Sequence, residues 1–266
     1  MIALAAPYPE GVSDAEPQTR VFRDRPVSFV RRSGRMSDGQ ERAWAELSPR
    51  YLIDVPRGEA ATSVATHARL DPAHVYGRSA PLIAEIGSGQ GHAIVHAALT
   101  RPDEDFLAVE VFRAGLARTM LDADREGARN LRLMEANAPE VLGGYLPAGS
   151  LAEVWVFFPD PWHKSKHNKR RLVTDEFAGV VSRALVGGGM LRLATDWADY
   201  ARQMRTVLDA APGFTRAFEG DWAPRFEGRV MTAFERKGLR AGREIRDLAY
   251  RRAVTAPGAD ATGATA

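Results

Sequence analysis

The sequence predicts an α/β fold built on a doubly wound, mostly parallel sheet, and three observations carry that expectation. Short apolar runs alternate with longer stretches of helical spacing, a glycine-rich turn directly follows the first strong apolar run, and an acid closes the next run about 20 residues further on. A sheet wound this way receives its ligands at the carboxyl ends of its strands.

Taken in order, residues 1–34 are rich in Pro, Ser and charge without a sustained period, which predicts a flexible arginine-rich arm ahead of a domain at 35–254. Ser37 and Gln40 have capping-box spacing, and Ala43, Trp44 and Leu47 form a helical stripe that Pro49 is expected to stop. Pro81 to Ile86 predicts a strand ending in glycines, His92 to Leu99 a helix, Phe106 to Val111 a strand, and Ala114 to Ala128 a helix. Two more strands follow at Leu131 to Met134 and Val154 to Phe158. Val173, Phe177, Val180, Val181, Ala184 and Leu185 keep helical spacing; Met190 to Ala194 is a strand after three glycines; Trp197, Tyr200, Ala201, Met204, Val207, Leu208 and Ala211 mark another helix. Phe214 to Phe218 and Arg246 to Val254 suit a closing antiparallel pair. Thr255 to Ala266 has no apolar anchor and predicts a disordered tail. Trp44, Trp197 and Trp222 are assigned to packing.

Composition narrows the class. With 266 residues, 45% of them hydrophobic and 26% charged, a sizeable core is available without crosslinks. The absence of cysteine excludes disulfides and thiolate metal sites and suits a reducing cytoplasm. Met1 to Ala6 lack a basic leader and meet Pro7, so no signal peptide is expected, and no run has the length of a membrane span. The net charge of +2 hides two basic clusters: Arg20, Arg23, Arg25, Arg31, Arg32 and Arg35 against Asp24 alone, and Lys164, Lys166, Lys169, Arg170 and Arg171 without an acid.

Glu85-Ile86-Gly87-Ser88-Gly89-Gln90-Gly91 lies between the first strand and its helix, where a nucleotide-type ligand meets the sheet. A dinucleotide fingerprint would need glycine at position 92, which is His92; the acid followed by G-x-G-x-G instead resembles the first motif of class I methyltransferases. Glu110 ends the next strand, where a carboxylate can take ribose hydroxyls, and Asn137 follows the third strand, where an amide can read an adenine edge. Pro159-Asp160-Pro161-Trp162 ends an apolar strand with an acid between two prolines, so the carboxylate sits on a stiff turn. The basic tract begins at once. Its cations suit phosphates, and Trp162, His163 and His167 offer flat groups to a base.

These residues resemble the bacterial tRNA (guanine-N7)-methyltransferase family. The resemblance rests on Arg31-Arg32-Ser33-Gly34-Arg35-Met36 with Gln40, on Glu85 to Gly91, on Phe158 to Lys164 with the tract after it, on Thr195-Asp196, and on Thr232-Ala233-Phe234-Glu235 with Gly238 and Asp247. It spans roughly residues 27–253 in the same order. It implies a seven-stranded sheet of the class I methyltransferase type with an antiparallel closing strand, S-adenosyl-L-methionine as donor, leaving as S-adenosylhomocysteine, and a tRNA variable-loop guanine as acceptor. Glu85, Gly87, Gly89, Glu110, Asn137 and Asp160 would line the cofactor pocket. Lys164, Asp196, Thr232, Phe234 and Glu235 would contact RNA, with Lys166, Lys169, Arg170 and Arg171 along a strip beside it. Asn137 stands where the family often has aspartate, and Val230 and Ala233 depart from its Arg-Pro-x-Thr-Lys-Phe-Glu pattern. Turn and cap chemistry would also explain Thr232 and Glu235.

Guanine N7 already carries an in-plane lone pair, so its methylation needs no general base. Asp160 is therefore expected to offset charge arriving on the purine, and Asp196 to anchor the guanine. No membrane and no obligate protein partner is called for, and a monomer or a homodimer would serve. Two other readings share parts of the pattern: a class I methyltransferase acting on a small molecule or protein, and a non-catalytic RNA-binding module.

Overall fold

The computed structural model describes residues 36–254. The expected arm and tail, and Arg31 to Arg35, lie outside the described residues. Leu82–Ile86 (β1) is buried at all five positions, the pattern of a strand covered on both faces. Asp105–Glu110 (β2), Leu131–Glu135 (β3), Leu151–Phe157 (β4) and Leu185–Thr195 (β5) join it in parallel pairs, and Phe214–Arg216 (β6) and Arg246–Arg252 (β7) close the edge. The seven strands run in the order β3-β2-β1-β4-β5-β7-β6. β7 is antiparallel to both neighbours, pairing Leu248 with Leu193 and Arg251 with Thr215. The order reverses between β1 and β4, so a crevice opens at the carboxyl ends of those two strands.

Alternate residues of each strand feed two cores, as a period of two requires. Ala84, Val154 and Val156 join Phe177, Val181, Tyr200 and Met204 of Asp175–Ala184 (α6) and Ala198–Ala210 (α7). On the other face Ile83 and Trp155 meet Tyr51, Ile94, Leu116 and Met120 of Asp38–Tyr51 (α1), His92–Thr100 (α3) and Arg113–Glu126 (α4). Short helices at Pro72–Tyr76 (α2) and Ala138–Glu140 (α5), and one at Ala233–Arg240 (α8), complete the set.

The capping box at Ser37 and Gln40 is formed. Pro49 does not stop α1, which continues to Tyr51. A proline near a helix end forfeits one backbone donor, and here burial of Tyr51 against α4 carries the chain onward. β5 also begins earlier than Met190: it starts at Leu185 and absorbs the three glycines in an irregular stretch of its pairing with β4. The sequence marks neither α2 nor α8, each too short to show a period.

Candidate active site

At the end of β1 the chain turns through Gly87, Gly89 and Gly91 with φ of 70°, 58° and 74°, a left-handed backbone that side chains disfavour. A Cβ at Gly91 would lie 2.4 Å from the Thr119 side chain, while one at Gly87 or Gly89 would meet no atom within 4 Å. The loop is thus clamped at one end and open toward the crevice. Glu110 Oε2 accepts from the Gly89 amide at 2.8 Å, and its Oε1 accepts from Val111 and Phe112, so the second acid is brought onto the glycine loop. Oε2, with a single donor, retains a lone pair for a hydroxyl.

Glu85 is 4% exposed, and its Oε2 has no hydrogen-bond partner. Burial pushes its carboxyl up to about 8, against a backbone hydrogen bond with Ile94 and with a smaller push from Glu110. Ser88 Oγ is likewise buried and unpartnered. Buried polar atoms are rarely left unpaired, so these two beside an open glycine loop fit a ligand carrying both an ammonium and an acceptor. Glu85, Ser88 and the amino end of α3 suit the methionine portion of S-adenosylmethionine, and Glu110 suits a ribose. Asn137 is buried, and its Nδ2 donates to Glu140 Oε1 at 3.0 Å, while Glu140 Oε2 accepts from the Val64 amide.

Beside the loop, β4 delivers Phe158-Pro159-Asp160-Pro161-Trp162. Phe158 and Trp162, at φ 53° and 49°, are the two non-glycine residues with positive φ among the described residues, and they bracket the exposed Asp160. Such backbone costs on the order of 1–3 kcal/mol per residue and persists only where surrounding contacts impose it. Those contacts are visible. Arg171 is 4% exposed; its Nε donates to the Pro161 carbonyl at 2.8 Å, and its other nitrogens reach Gln203 and Asp199 on α7. Arg171 therefore does not belong to the phosphate strip as expected: burial and three partners make it the anchor of the turn. Lys164, Lys166 and Lys169 are exposed on a 3-10 turn, while the Arg170 guanidinium lies 5.0 Å from the Trp162 ring. His163 packs on Trp197 with ring centroids 4.2 Å apart, and Trp162 meets His167 edge-on at 6.0 Å.

The third part lies over β5 and β7. Arg229 is fully buried and donates to Asp247 at 2.6 and 3.1 Å and to Glu235 at 3.1 Å, and its guanidinium sits 5.5 Å from the rings of Phe157 and Phe158. Arg225 adds a second ion pair to Glu235. Glu235, expected at the RNA, is instead 2% exposed and satisfied by these arginines. The Thr232 hydroxyl accepts from the Glu235 amide at 3.1 Å as the cap of α8, which is the cap chemistry that competed with the RNA role. Phe234 is 64% exposed. Asp196 Oδ2 accepts from Arg243 Nε at 2.7 Å and remains partly exposed.

Glu85, the glycines, Glu110 and Asp160 are thus gathered at the strand-order reversal, with the lysines beside them. Arg229 and the buried role of Arg171 escape a reading by sequence. The only signal for Arg229 is its place as the first residue of the motif that ends in Glu235.

A seven-stranded sheet of this order, with an acid-led glycine loop and a second acid one strand over, defines a class I S-adenosylmethionine-dependent methyltransferase. A methyltransferase family model matches residues 79–248. The chain is 46% identical over 276 residues to the tRNA (guanine-N(7)-)-methyltransferase of an Arthrobacter sp., with 86% of each chain covered. It is 40% identical over 243 residues to the enzyme of that name from Pseudomonas putida, covering 91% of this chain and 94% of that one. Among solved structures it is similar in fold to a mutant 16S rRNA (adenine(1408)-N(1))-methyltransferase from Catenulisporales acidiphilia with cosubstrate SAM, at TM-score 0.52 and 16% identity, over 72% of this chain and 96% of that one. The chain belongs to the tRNA (guanine-N7)-methyltransferase family. Among the described residues no helix is long and apolar enough to cross a membrane.

Proposed function

We propose that the protein methylates N7 of a variable-loop guanine in tRNA, acting in the cytoplasm. One observation supports this above the others: a buried acid with an open oxygen and an exposed acid on a strained turn sit at the carboxyl ends of neighbouring strands, with exposed lysines continuing from the second. When bound, S-adenosylmethionine supplies an electrophilic methyl group and leaves as S-adenosylhomocysteine. Glu85 holds the cofactor's ammonium, the Gly87 to Gly91 turn lets it approach the backbone, and Glu110 receives its ribose. Asp160 would offset the positive charge arriving on the purine without taking a proton. Lys164, Lys166 and Lys169 pair with phosphates. Asp196, held by Arg243, would receive the guanine's N–H groups.

Incubating the protein with unmodified tRNA and labelled cofactor, then mapping the modified nucleotide, tests this directly. The expected product is 7-methylguanosine in the variable loop; label at another atom or loop, or no label across several tRNA pools, overturns it. Asp160→Asn is expected to lower the single-turnover rate by on the order of 10²-fold at saturating tRNA and cofactor, the usual cost of one lost electrostatic contact to a transition state.

A further inference from the structure

Three of the six exposed large apolar side chains among the described residues, Met231, Phe234 and Leu239, fall on or beside α8. This helix differs from the others in its charges. On α4, Arg118 and Arg125 pair with Asp122, and on α1, Arg50 reaches Asp124. On α8, Arg236, Lys237 and Arg240 have no acidic partner among the described residues, and the helix's one acid, Glu235, is buried against Arg225 and Arg229. Arg240 stands four residues after Arg236 and three after Lys237, so the three cations share one helical face, opposite the buried Glu235 and Gly238. Repulsion among them disfavours the helix, and the dipole compensates only toward its carboxyl end.

The opposite, buried face of the helix rests on the active site. A Cβ at Gly238 would lie 2.8 Å from Asp196 Oδ2, so the absent side chain lets α8 sit directly on Asp196. Trp197 follows and packs at a tilt on His163, and Lys164 and its tract begin there. Exposed cations therefore occur in two places around the site, on the tract after the Asp160 turn and on the outward face of α8, with an exposed aromatic ring on the same helix.

We propose that the outward face of α8 is a second RNA-holding surface, on which Arg236, Lys237 and Arg240 pair with phosphates of the tRNA substrate beside Phe234, whose RNA contact the family resemblance already implies. This rests on the tRNA reading above. Charge complementarity selects nucleic acid as the occupant, and a flat apolar group among cations is the arrangement that holds single-stranded bases without reading their sequence.

The test is binding of fluorescently labelled, unmodified tRNA as a function of salt. The variant R236Q/K237Q/R240Q keeps good helix formers at exposed positions and should fold. It should bind tRNA on the order of tenfold more weakly, and its slope of log affinity against log salt should be shallower by about 2, at roughly 0.7–0.9 per lost contact. Phe234→Ala should weaken binding by about 5- to 150-fold at every salt concentration with the slope unchanged. Cofactor affinity should stay at the wild-type value in both. Wild-type affinity and slope in the triple variant would overturn the proposal. So would an altered sedimentation coefficient with tRNA affinity intact, which would make α8 a contact between copies of the chain. If wild-type protein binds no tRNA at all, the underlying reading fails and takes this surface with it.

Discussion

Glu85 and Glu235 are both buried carboxylates, at 4% and 2% exposure, and they have opposite surroundings. Glu235 is met by Arg225 and Arg229 and closes an internal network with Asp247. Glu85 has an oxygen with no partner and a carboxyl pushed up by burial. Removing a carboxylate from water is costly, and the two sites meet that cost differently. One carries its counter-charge within the fold, so its function is to hold β7, α8 and the rings of Phe157 and Phe158 together. The other has no counter-charge within the fold and meets the cost by holding its proton until a ligand brings a cation. A buried acid is thus a binding-site candidate to the extent that the protein has failed to neutralise it.

The largest test of this contrast is Arg229→Met. It would strand Asp247, whose carboxyl burial already pushes up despite the guanidinium beside it, and leave Glu235 with Arg225 alone, and should cost about 3–5 kcal/mol in thermal or denaturant unfolding. Neutralising all three groups together in R229M/E235Q/D247N should recover much of that loss, since apolar or neutral replacement of a whole buried network is often tolerated. If the single variant unfolds like wild type, the network is not what holds this region. Next comes Glu85→Gln, which should weaken cofactor binding by roughly 10- to 100-fold, matching about 1.5–3 kcal/mol for a hydrogen bond to a charged group, while leaving the free protein at least as stable. Glu235→Gln should do the reverse, lowering stability and sparing cofactor affinity. Titration calorimetry with paired melting curves separates them, and parallel behaviour of the two variants would dissolve the distinction.

The contrast also shows where the sequence stops being informative. Strands such as Leu82–Ile86 and the acids at Glu85 and Glu110 are legible because periodicity and glycine spacing are local. The stiffness of the Pro-Asp-Pro turn is legible for the same reason, since proline acts on its own φ and on the residue before it. Burial of an individual charge is not local. Arg170 and Arg171 are neighbours with the same side chain, yet one lies on the Trp162 ring and the other threads beneath Pro161 to α7, 28 residues away, where Asp199 waits. Glu235 looks like any acid in a helix cap until Arg225 and Arg229 fold over it. Pro49 similarly reads as a stop, because its local penalty is visible and the tertiary burial of Tyr51 is not.

A pH dependence of cofactor binding, set chiefly by Glu85, is expected as well. With its carboxyl at about 8, this residue is mostly protonated in the free protein at neutral pH. A bound ammonium favours the carboxylate and lowers that value, so binding below about pH 8 releases a proton, and affinity should rise by up to tenfold per pH unit toward 8. The cofactor's own α-amino group loses its charge in the same range, at roughly 7.7–8.0, so affinity should pass through a maximum near there. The folding linkage has the opposite sense. A carboxyl raised above its unfolded value contributes stability fully below that value and loses it as pH climbs through about 8, so free wild-type protein should lose stability over that window relative to Glu85→Gln. Calorimetry in two buffers of different ionisation enthalpy measures the released proton. A wild-type affinity that is flat from pH 6 to 8, with no proton released, would mean that Glu85 is already charged and that the fold supplies its partner after all.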